Sequence, residues 1–113
     1  MHEMALCQGL VDLIEDEARR QGFDRVRRVI VEIGALGHVD PRALAFAFEV
    51  TVRGTRANDA RLEVREIPGR AWCMACSTVV AVPARGEVCP LCGGSQLIVE
   101  GGEEMKLREL EVT

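Results

Sequence analysis

Apolar residues near the N-terminus recur with the period of an α-helix. Over residues 4–21 they are spaced by three or four positions, and charged residues fill most of the remaining positions. The apolar stripe consists of Met4, Cys7, Leu10, Val11, Ile14 and Ala18, and Leu6 and Leu13 widen it. Gly22 is a candidate C-cap, because glycine adopts the left-handed conformation at little cost. The pattern predicts an amphipathic helix that ends near residue 21.

A strand and a second helix are predicted next. Residues 26–33 are rich in β-branched side chains, which is typical of a strand. Asp40 and Pro41 then favour a helix start, with Asp40 as the N-cap and Pro41 at the first helical position. The predicted buried face of this helix is Leu44, Ala45, Phe48 and Val52, and Gly54 is the predicted stop.

Two later segments alternate between apolar and polar residues, as strands with one buried face do. They span residues 61–67 and 104–112, and the second changes phase near Arg108 and Glu109, which fits a β-bulge. Between the two segments, glycine-containing turns bracket residues 70–100, at Pro68-Gly69 and Gly101-Gly102.

The order of these segments predicts an α/β fold. Residues 1–69 and 101–113 form one domain, with a small mixed three-stranded sheet and two helices. Residues 70–100 form a module inserted between two strands of that sheet. A chain of 113 residues has room for one such domain with a smaller module attached.

Charge and composition narrow the possible functions. The formal net charge is −4 and Lys106 is the only lysine, whereas nucleic-acid binding draws on basic residues that neutralise phosphates. No apolar run approaches the roughly 18–20 residues that span a membrane, and residues 1–3 do not resemble the start of a signal peptide. Five cysteines without an export signal predict a cytoplasmic protein, in which cysteine pairs bind metals more often than they form disulfides.

Four cysteines form two Cys-x-x-Cys pairs, Cys73 with Cys76 and Cys89 with Cys92, separated by 12 residues. Each pair places two sulfurs on one side of a tight turn, and two facing turns form a closed tetrahedral site typical of structural zinc. The glycines after Cys92 leave the backbone free to direct N–H groups toward sulfur. We therefore predict one structural Zn(II) in a zinc ribbon, with a rubredoxin-like iron site and two disulfides as alternatives. One strand of the ribbon hairpin is predicted at Val79, Val80 and Val82.

The N-terminus offers a second set of metal ligands. The α-amine of Met1 has a neutral fraction at physiological pH, because α-amines titrate at about 7.7–8.0. Together with the amide nitrogen and imidazole of His2 it can close five- and six-membered chelate rings, and three such nitrogens suit Ni(II) or Cu(II). Glu3 can add a carboxylate or orient the imidazole. The same spacing also fits a solvated histidine that binds no metal.

Four motifs together resemble one family. They are the Met-His-Glu-Met start, the two cysteine pairs, the segment from Val39 to Glu49 that contains Phe46 and Phe48, and the C-terminal segment 105–112. From end to end their combination resembles the HypA/HybF family of hydrogenase nickel-insertion proteins.

The resemblance implies a small cytoplasmic nickel metallochaperone, not an enzyme, that works as a monomer or homodimer. By this resemblance His2 is the essential Ni(II) ligand, Met1 and Glu3 complete the site, and the four cysteines hold Zn(II). The implied partners are a HypB-type GTPase and the large-subunit precursor of [NiFe]-hydrogenase, and some members also serve urease. The chain has no GTP-binding loop of its own, so nucleotide hydrolysis would come from the partner.

We predict that two other potential metal ligands, His38 and Cys7, bind no metal. His38 lies where the family more often has a small polar residue, and we predict an exposed loop histidine that precedes a helix cap. Cys7 lies on the apolar stripe of the first helix, so we predict a buried thiol that packs as a small hydrophobe.

Two different functions compete with the chaperone hypothesis. A nucleic-acid-binding zinc ribbon would need a basic, aromatic face, but residues 70–100 offer two arginines against two glutamates, with Trp72 as the only aromatic residue. A rubredoxin-like electron carrier would use the same cysteine pairs to bind iron. An enzyme has little support, because no nucleophile–base pair and no phosphate-binding loop is evident.

Overall fold

The computed structural model describes residues 2–113, and within them the chain forms two helices and six strands. In chain order these are α1 (His2–Gln21), β1 (Val26–Gly34), α2 (Pro41–Thr51), β2 (Arg61–Ile67), β3 (Gly69–Cys73), β4 (Thr78–Val82), β5 (Leu97–Gly101) and β6 (Met105–Val112). The predicted α/β class, with two helices, a three-stranded sheet and an inserted four-cysteine module, is confirmed.

Helix α1 buries most of the apolar stripe that its sequence predicts. Gly22 has a φ of 77° and donates its N–H to the carbonyl of Ala18 at 2.8 Å, so it ends the helix as predicted. Met4, the first residue of the predicted stripe, is 42% exposed. The buried residues of α1 are Cys7, Leu10, Val11, Ile14 and Ala18.

Helix α2 begins as its sequence predicts. Asp40 has the extended conformation of an N-cap, and its carboxylate accepts a hydrogen bond of 2.9 Å from the N–H of Arg42. Pro41 occupies the first helical turn, where its missing N–H costs nothing.

The buried face of α2 differs from the prediction at one residue. Leu44, Ala47 and Phe48 are buried, whereas Ala45 is exposed. Neighbouring residues of a helix point about 100° apart, so a stripe that contains Leu44 and Phe48 includes the residue at i+3 from Leu44, not the one at i+1. Val52 is also buried and donates its N–H to the carbonyl of Phe48 at the C-terminal cap.

Strand β1 occupies the middle of the first sheet, whose strand order is β2-β1-β6. Val29, Ile30 and Val31 are consecutive and all buried. Because successive side chains of a strand point to opposite faces, both faces of β1 are covered at this point. The β-branched run that predicts the strand therefore also marks the core.

The chain divides into two compact units. The first holds the residues up to Val31, together with Val39–Val64 and Leu107–Thr113, and the second holds Glu32–His38 and Arg65–Lys106. The sequence predicts a nickel-binding domain, 1–69 with 101–113, and a zinc-ribbon domain, 70–100. This division assigns a metal to each part, and it stays a prediction.

The second unit contains a three-stranded antiparallel sheet of order β4-β3-β5. Strand β4 covers the predicted hairpin strand, with Val80 and Val82 buried and Val79 exposed. Six residues form the core of this unit, and two of them are cysteines. They are Leu36, Ala71, Cys73, Val80, Val82 and Cys89.

Two backbones of the second unit meet at Gly34. A Cβ atom added at this residue would overlap the carbonyl of Gly102, and the N–H of Gly34 donates to the carbonyl of Glu104 at 2.9 Å. Gly102 has a φ of 88°, a backbone conformation that residues with a Cβ atom rarely adopt. A Cβ atom added at Gly102 would also lie 2.5 Å from the Cα of Gly69, so the glycines around the inserted module allow a close approach of its two connecting chains.

Two phenylalanines on α2 allow a matched test of this packing. We expect Phe48→Ala to lower the free energy of unfolding by about 3–5 kcal/mol, because it leaves a cavity in the core. Phe48 is 2% exposed and Phe46 is 69% exposed, so Phe46→Ala should change stability by no more than about 0.5 kcal/mol. Urea unfolding followed by circular dichroism measures both, and equal losses would contradict the assignment of the buried face.

Candidate metal centres

Two tight turns position the four cysteines of the second unit. Cys73 ends β3, and its carbonyl accepts a hydrogen bond of 2.8 Å from the N–H of Ser77. The carbonyl of Cys89 accepts an equivalent bond of 2.8 Å from the N–H of Gly93. Ser77 and Gly93 both have positive φ, 51° and 73°, so each pair sits in a turn closed by a left-handed residue.

The four sulfurs fit one tetrahedral metal ion. All four lie within 4.8 Å of one another, with 3.7 Å between those of Cys73 and Cys92 and 3.9 Å between those of Cys76 and Cys89. A tetrahedron with metal–sulfur bonds of about 2.3 Å has edges of about 3.8 Å. The same distances are far beyond the roughly 2.05 Å of a disulfide bond, so the geometry favours a metal over the disulfide alternative.

Backbone N–H groups surround the sulfurs. The sulfurs of Cys73, Cys89 and Cys92 accept hydrogen bonds of 3.4 Å, donated by the N–H groups of Cys76, Leu91 and Gly94 respectively. The bond from Gly94 is one that the glycines after Cys92 predict. Such donors stabilise the thiolate form and fix its orientation, as the outer shell of a metal site does.

The four thiols cannot ionise independently. Burial raises the pKa of Cys89, but hydrogen bonds from the backbone N–H groups of Cys92 and Leu91 and from the thiols of Cys73 and Cys92 together outweigh it and bring that pKa to about 7. Hydrogen bonds with Cys92 and Cys73 raise the pKa of Cys76 to about 12. Thiolates at these distances repel one another, so a cation is needed before all four can lose their protons. Metal binding therefore releases protons and holds the two turns together.

The second predicted metal site lies at the start of α1. His2 and Glu3 are in its first turn, with 3.5 Å between Nδ1 of His2 and a carboxylate oxygen of Glu3. The His2 side chain is 52% exposed and that of Glu3 is 14% exposed. N–H groups in the first turn of a helix have no intrahelical acceptor, which leaves the His2 amide available to a ligand. Met1, the third predicted ligand, lies outside the described residues.

His38 and Cys7 take the positions that their non-metal interpretations predict. His38 is exposed in the loop before α2 and has a φ of 56°. Cys7 is 0% exposed, and its thiol donates to the carbonyl of Leu44 at 3.5 Å. Among residues 2–113, the four zinc-candidate cysteines are the only group of three or more side chains arranged to hold a metal.

Trp72 lies in an apolar row that sequence inspection alone does not reveal. It pairs with Val79 of β4 on one side and Ile98 of β5 on the other. All three side chains are exposed, at 36%, 45% and 54% respectively. The row becomes visible only once the strand register is known. Its chemistry favours apolar contact over phosphate binding and does not support a nucleic-acid interface.

Comparison with known proteins gives a consistent result. Residues 1–112 match the family model described as "Hydrogenase/urease nickel incorporation, metallochaperone, hypA". Hydrogenase maturation factor HypA 2 of Bradyrhizobium diazoefficiens is 57% identical over 112 residues, which cover 99% of each chain. Hydrogenase maturation factor HypA of Rhodopseudomonas palustris is 55% identical with the same coverage.

Solved structures agree with these relatives. The solution structure of the Ni metallochaperone HypA from Helicobacter pylori is 30% identical, with a TM-score of 0.72, and the match covers 99% of this chain and 97% of that one. A second solution structure of a HypA protein gives 30% identity and a TM-score of 0.73, with 100% and 97% coverage.

The fold and the four-cysteine centre define a small metal-binding accessory protein. The chain belongs to the HypA family of nickel metallochaperones, which act in hydrogenase maturation and are not enzymes. It therefore works with the hydrogenase maturation machinery. None of the helices in the described part of the chain has the length and apolar character needed to cross a membrane.

The buried thiol of Cys7 should make stability fall in alkaline solution. Burial raises its pKa from 9.0 to about 11, with Glu3 adding to the shift. Above pH 9 the unfolded chain ionises Cys7 while the folded chain keeps it protonated until about pH 11, so the free energy of unfolding decreases across this window.

Cys7→Ala provides the control for this effect. The chain has no tyrosine and one lysine, and the other four cysteines, which also titrate in alkaline solution, are common to both proteins. We expect the urea midpoint of the metal-loaded parent to fall more steeply from pH 9 to pH 11 than that of the variant. Parallel curves for the two proteins would show that Cys7 titrates normally in the folded state.

Proposed function

We propose that this protein binds Ni(II) at its N-terminus and delivers it to the large-subunit precursor of [NiFe]-hydrogenase. The observation that carries the proposal is the placement of His2 and Glu3 side by side in the first turn of α1, with the imidazole half exposed. The amine of Met1, the amide nitrogen and imidazole of His2, and the carboxylate of Glu3 would hold the ion. Nickel is the cargo, so an exposed chelate at the end of a chain, open to a receiving protein, suits release as well as binding.

We propose that the four cysteines hold a resident Zn(II). Four sulfurs at tetrahedral spacing leave no open coordination position for a substrate. When bound, the ion would cross-link the two cysteine turns and would not take part in catalysis. Cys73 and Cys89 also belong to the six-residue core of the second unit, which would be small without the ion.

The partner assignment follows from the family. A HypB-type GTPase would supply nucleotide hydrolysis, and the hydrogenase precursor would receive the nickel, in the cytoplasm. The family model names urease beside hydrogenase, so nickel delivery to a urease is a second route of the same proposal. The protein would act as a monomer or homodimer.

The zinc assignment is tested by metal analysis of matched cysteine variants. Purified parent should contain about one zinc per chain and be colourless. Cys92→Ser should lose the zinc, because three thiolates remain, whereas Cys7→Ser should keep it, because Cys7 is buried in α1 and is not among the four clustered cysteines. Plasma mass spectrometry measures the metals. A red protein with bound iron would instead favour the rubredoxin-like alternative.

The nickel assignment is tested with the two histidines. Titration of untagged parent with Ni(II), followed by calorimetry and absorbance, should reveal about one nickel beyond the cysteine site. His2→Ala should lose that nickel and keep its zinc, whereas His38→Ala should behave like the parent.

An added N-terminal residue should mimic His2→Ala, because it removes the α-amine from the chelate. Equal nickel binding by the parent and His2→Ala would refute the site while leaving family membership intact.

A further inference from the structure

Helix α2 carries an exposed apolar pair on the side that does not face the core. Phe46 and Val50 are one turn apart and are 69% and 37% exposed. Arg42 precedes Phe46 by one turn, Glu49 follows it at i+3, and Arg53 comes just after the C-terminal cap of the helix. We call Arg42, Phe46, Glu49, Val50 and Arg53, all of them exposed, the outer face of α2.

The fold does not use this apolar pair. The core side of α2 is already formed by Leu44, Ala47 and Phe48, which are buried. A phenylalanine that is 69% exposed on a helix forgoes most of the stabilisation that burial of its ring would contribute. Aromatic residues left in this way are enriched in the cores of protein interfaces.

Charged residues at both ends of the apolar pair indicate what covers it. Several arginines elsewhere in this unit bind carboxylates, for example Arg28 with Glu111 and Arg56 with Glu15. The guanidinium groups of Arg42 and Arg53, like those of Arg25, Arg27 and Arg61 in the same unit, make no ion pair with any residue from 2 to 113. The outer face of α2 therefore presents an apolar centre with an available positive charge toward each end.

A second copy of this chain cannot set Phe46 against Val50 without bringing arginines together. In an antiparallel two-fold pair, the register that sets Phe46 against Val50 of the other copy also sets Arg42 opposite residue 54, beside Arg53 of that copy. Two such arginine pairs would repel, and like charges across an interface disfavour the complex. A partner with carboxylates at both ends of an apolar stripe matches the face instead.

We propose that the outer face of α2 is a docking surface for an acidic amphipathic helix of a partner protein. Apolar residues of that helix, at i and i+3 or i+4, would pack on Phe46 and Val50. Its aspartate or glutamate residues would pair with Arg42 and Arg53 and would steer the encounter. The surface contains none of the residues assigned to either metal site, so this proposal goes beyond nickel binding and does not depend on it.

Site-specific cross-linking identifies the occupant of the face. Phe46→p-benzoylphenylalanine, in the full chain and in cells of the source organism, should yield one main adduct on irradiation. Mass spectrometry should map it to a segment of another protein with helical apolar spacing and flanking carboxylates. Arg61→p-benzoylphenylalanine, exposed in the same unit but outside α2, should not yield that adduct.

The other cross-linking outcomes overturn the proposal. They are an adduct between two copies of this chain, an adduct to a basic segment, and no protein adduct. Each remains interpretable if the nickel hypothesis fails, since the readout does not involve a metal.

Charge reversal then tests the chemistry in purified components, with the cross-linked segment as a synthetic peptide. Arg42→Glu and Arg53→Glu should each weaken binding to the full chain by about tenfold or more, and added salt should reduce the difference. Arg61→Glu makes the same change in net charge and should bind like the parent. Glu49→Lys should bind equally or more tightly.

The Phe46→Ser variant distinguishes a loss of contact with the partner from a loss of stability. It should abolish binding while keeping the urea midpoint of the parent, since the side chain is exposed. A large loss of stability in this variant, or equal weakening by all three arginine reversals, would refute a specific docking face.

Discussion

The packing of the second unit depends on four cysteine sulfurs that lie within 4.8 Å of one another. As thiolates these sulfurs repel one another, and charged sulfurs are costly to place in a hydrophobic core. Two of them, from Cys73 and Cys89, are nevertheless among the six core residues of this unit. A divalent cation resolves the conflict, because it removes the repulsion and cross-links the turn after β3 to the turn at Cys89–Cys92. The small core can then suffice, because the ion supplies what apolar contacts do not.

Much of this arrangement can be predicted from the sequence, because it depends on interactions between residues that are close together along the chain. Asp40-Pro41 starts α2 through cap and proline chemistry that involves only adjacent residues, and the cysteine spacing implies a shared ion without knowledge of the fold. The failures involve contacts between distant residues. The exchange of Ala45 for Ala47 on the buried face depends on which side of α2 packs, and the Trp72 row depends on the register of three strands. The helical spacing of Leu44 and Phe48, by contrast, correctly predicts that Phe48 is buried, and Phe46, which lies outside that spacing, is exposed.

The four-cysteine centre and the proposed N-terminal nickel site differ in ways that suit opposite roles. The cysteine centre combines four ligands from two closed turns with backbone N–H donors, and three of its sulfurs are at least half buried. An ion held in this way exchanges slowly, because several ligands must separate together. The N-terminal set draws its nitrogens from one end of the chain, beside a half-exposed imidazole. If nickel binds there, protonation of one group or approach of a competing ligand opens the chelate, so transfer needs no unfolding.

Transfer between proteins also requires that donor and acceptor stay together long enough for ligands to exchange. A terminal chelate contributes little surface to a complex, so binding energy must come from elsewhere on the chain. The outer face of α2 has the composition for that task, since Phe46 and Val50 supply apolar area and the arginines supply orientation. Because this face holds none of the residues assigned to either metal centre, partner binding through it would persist while the chelate forms and opens. Separation of docking from metal binding allows weak, reversible nickel coordination to coexist with specific delivery.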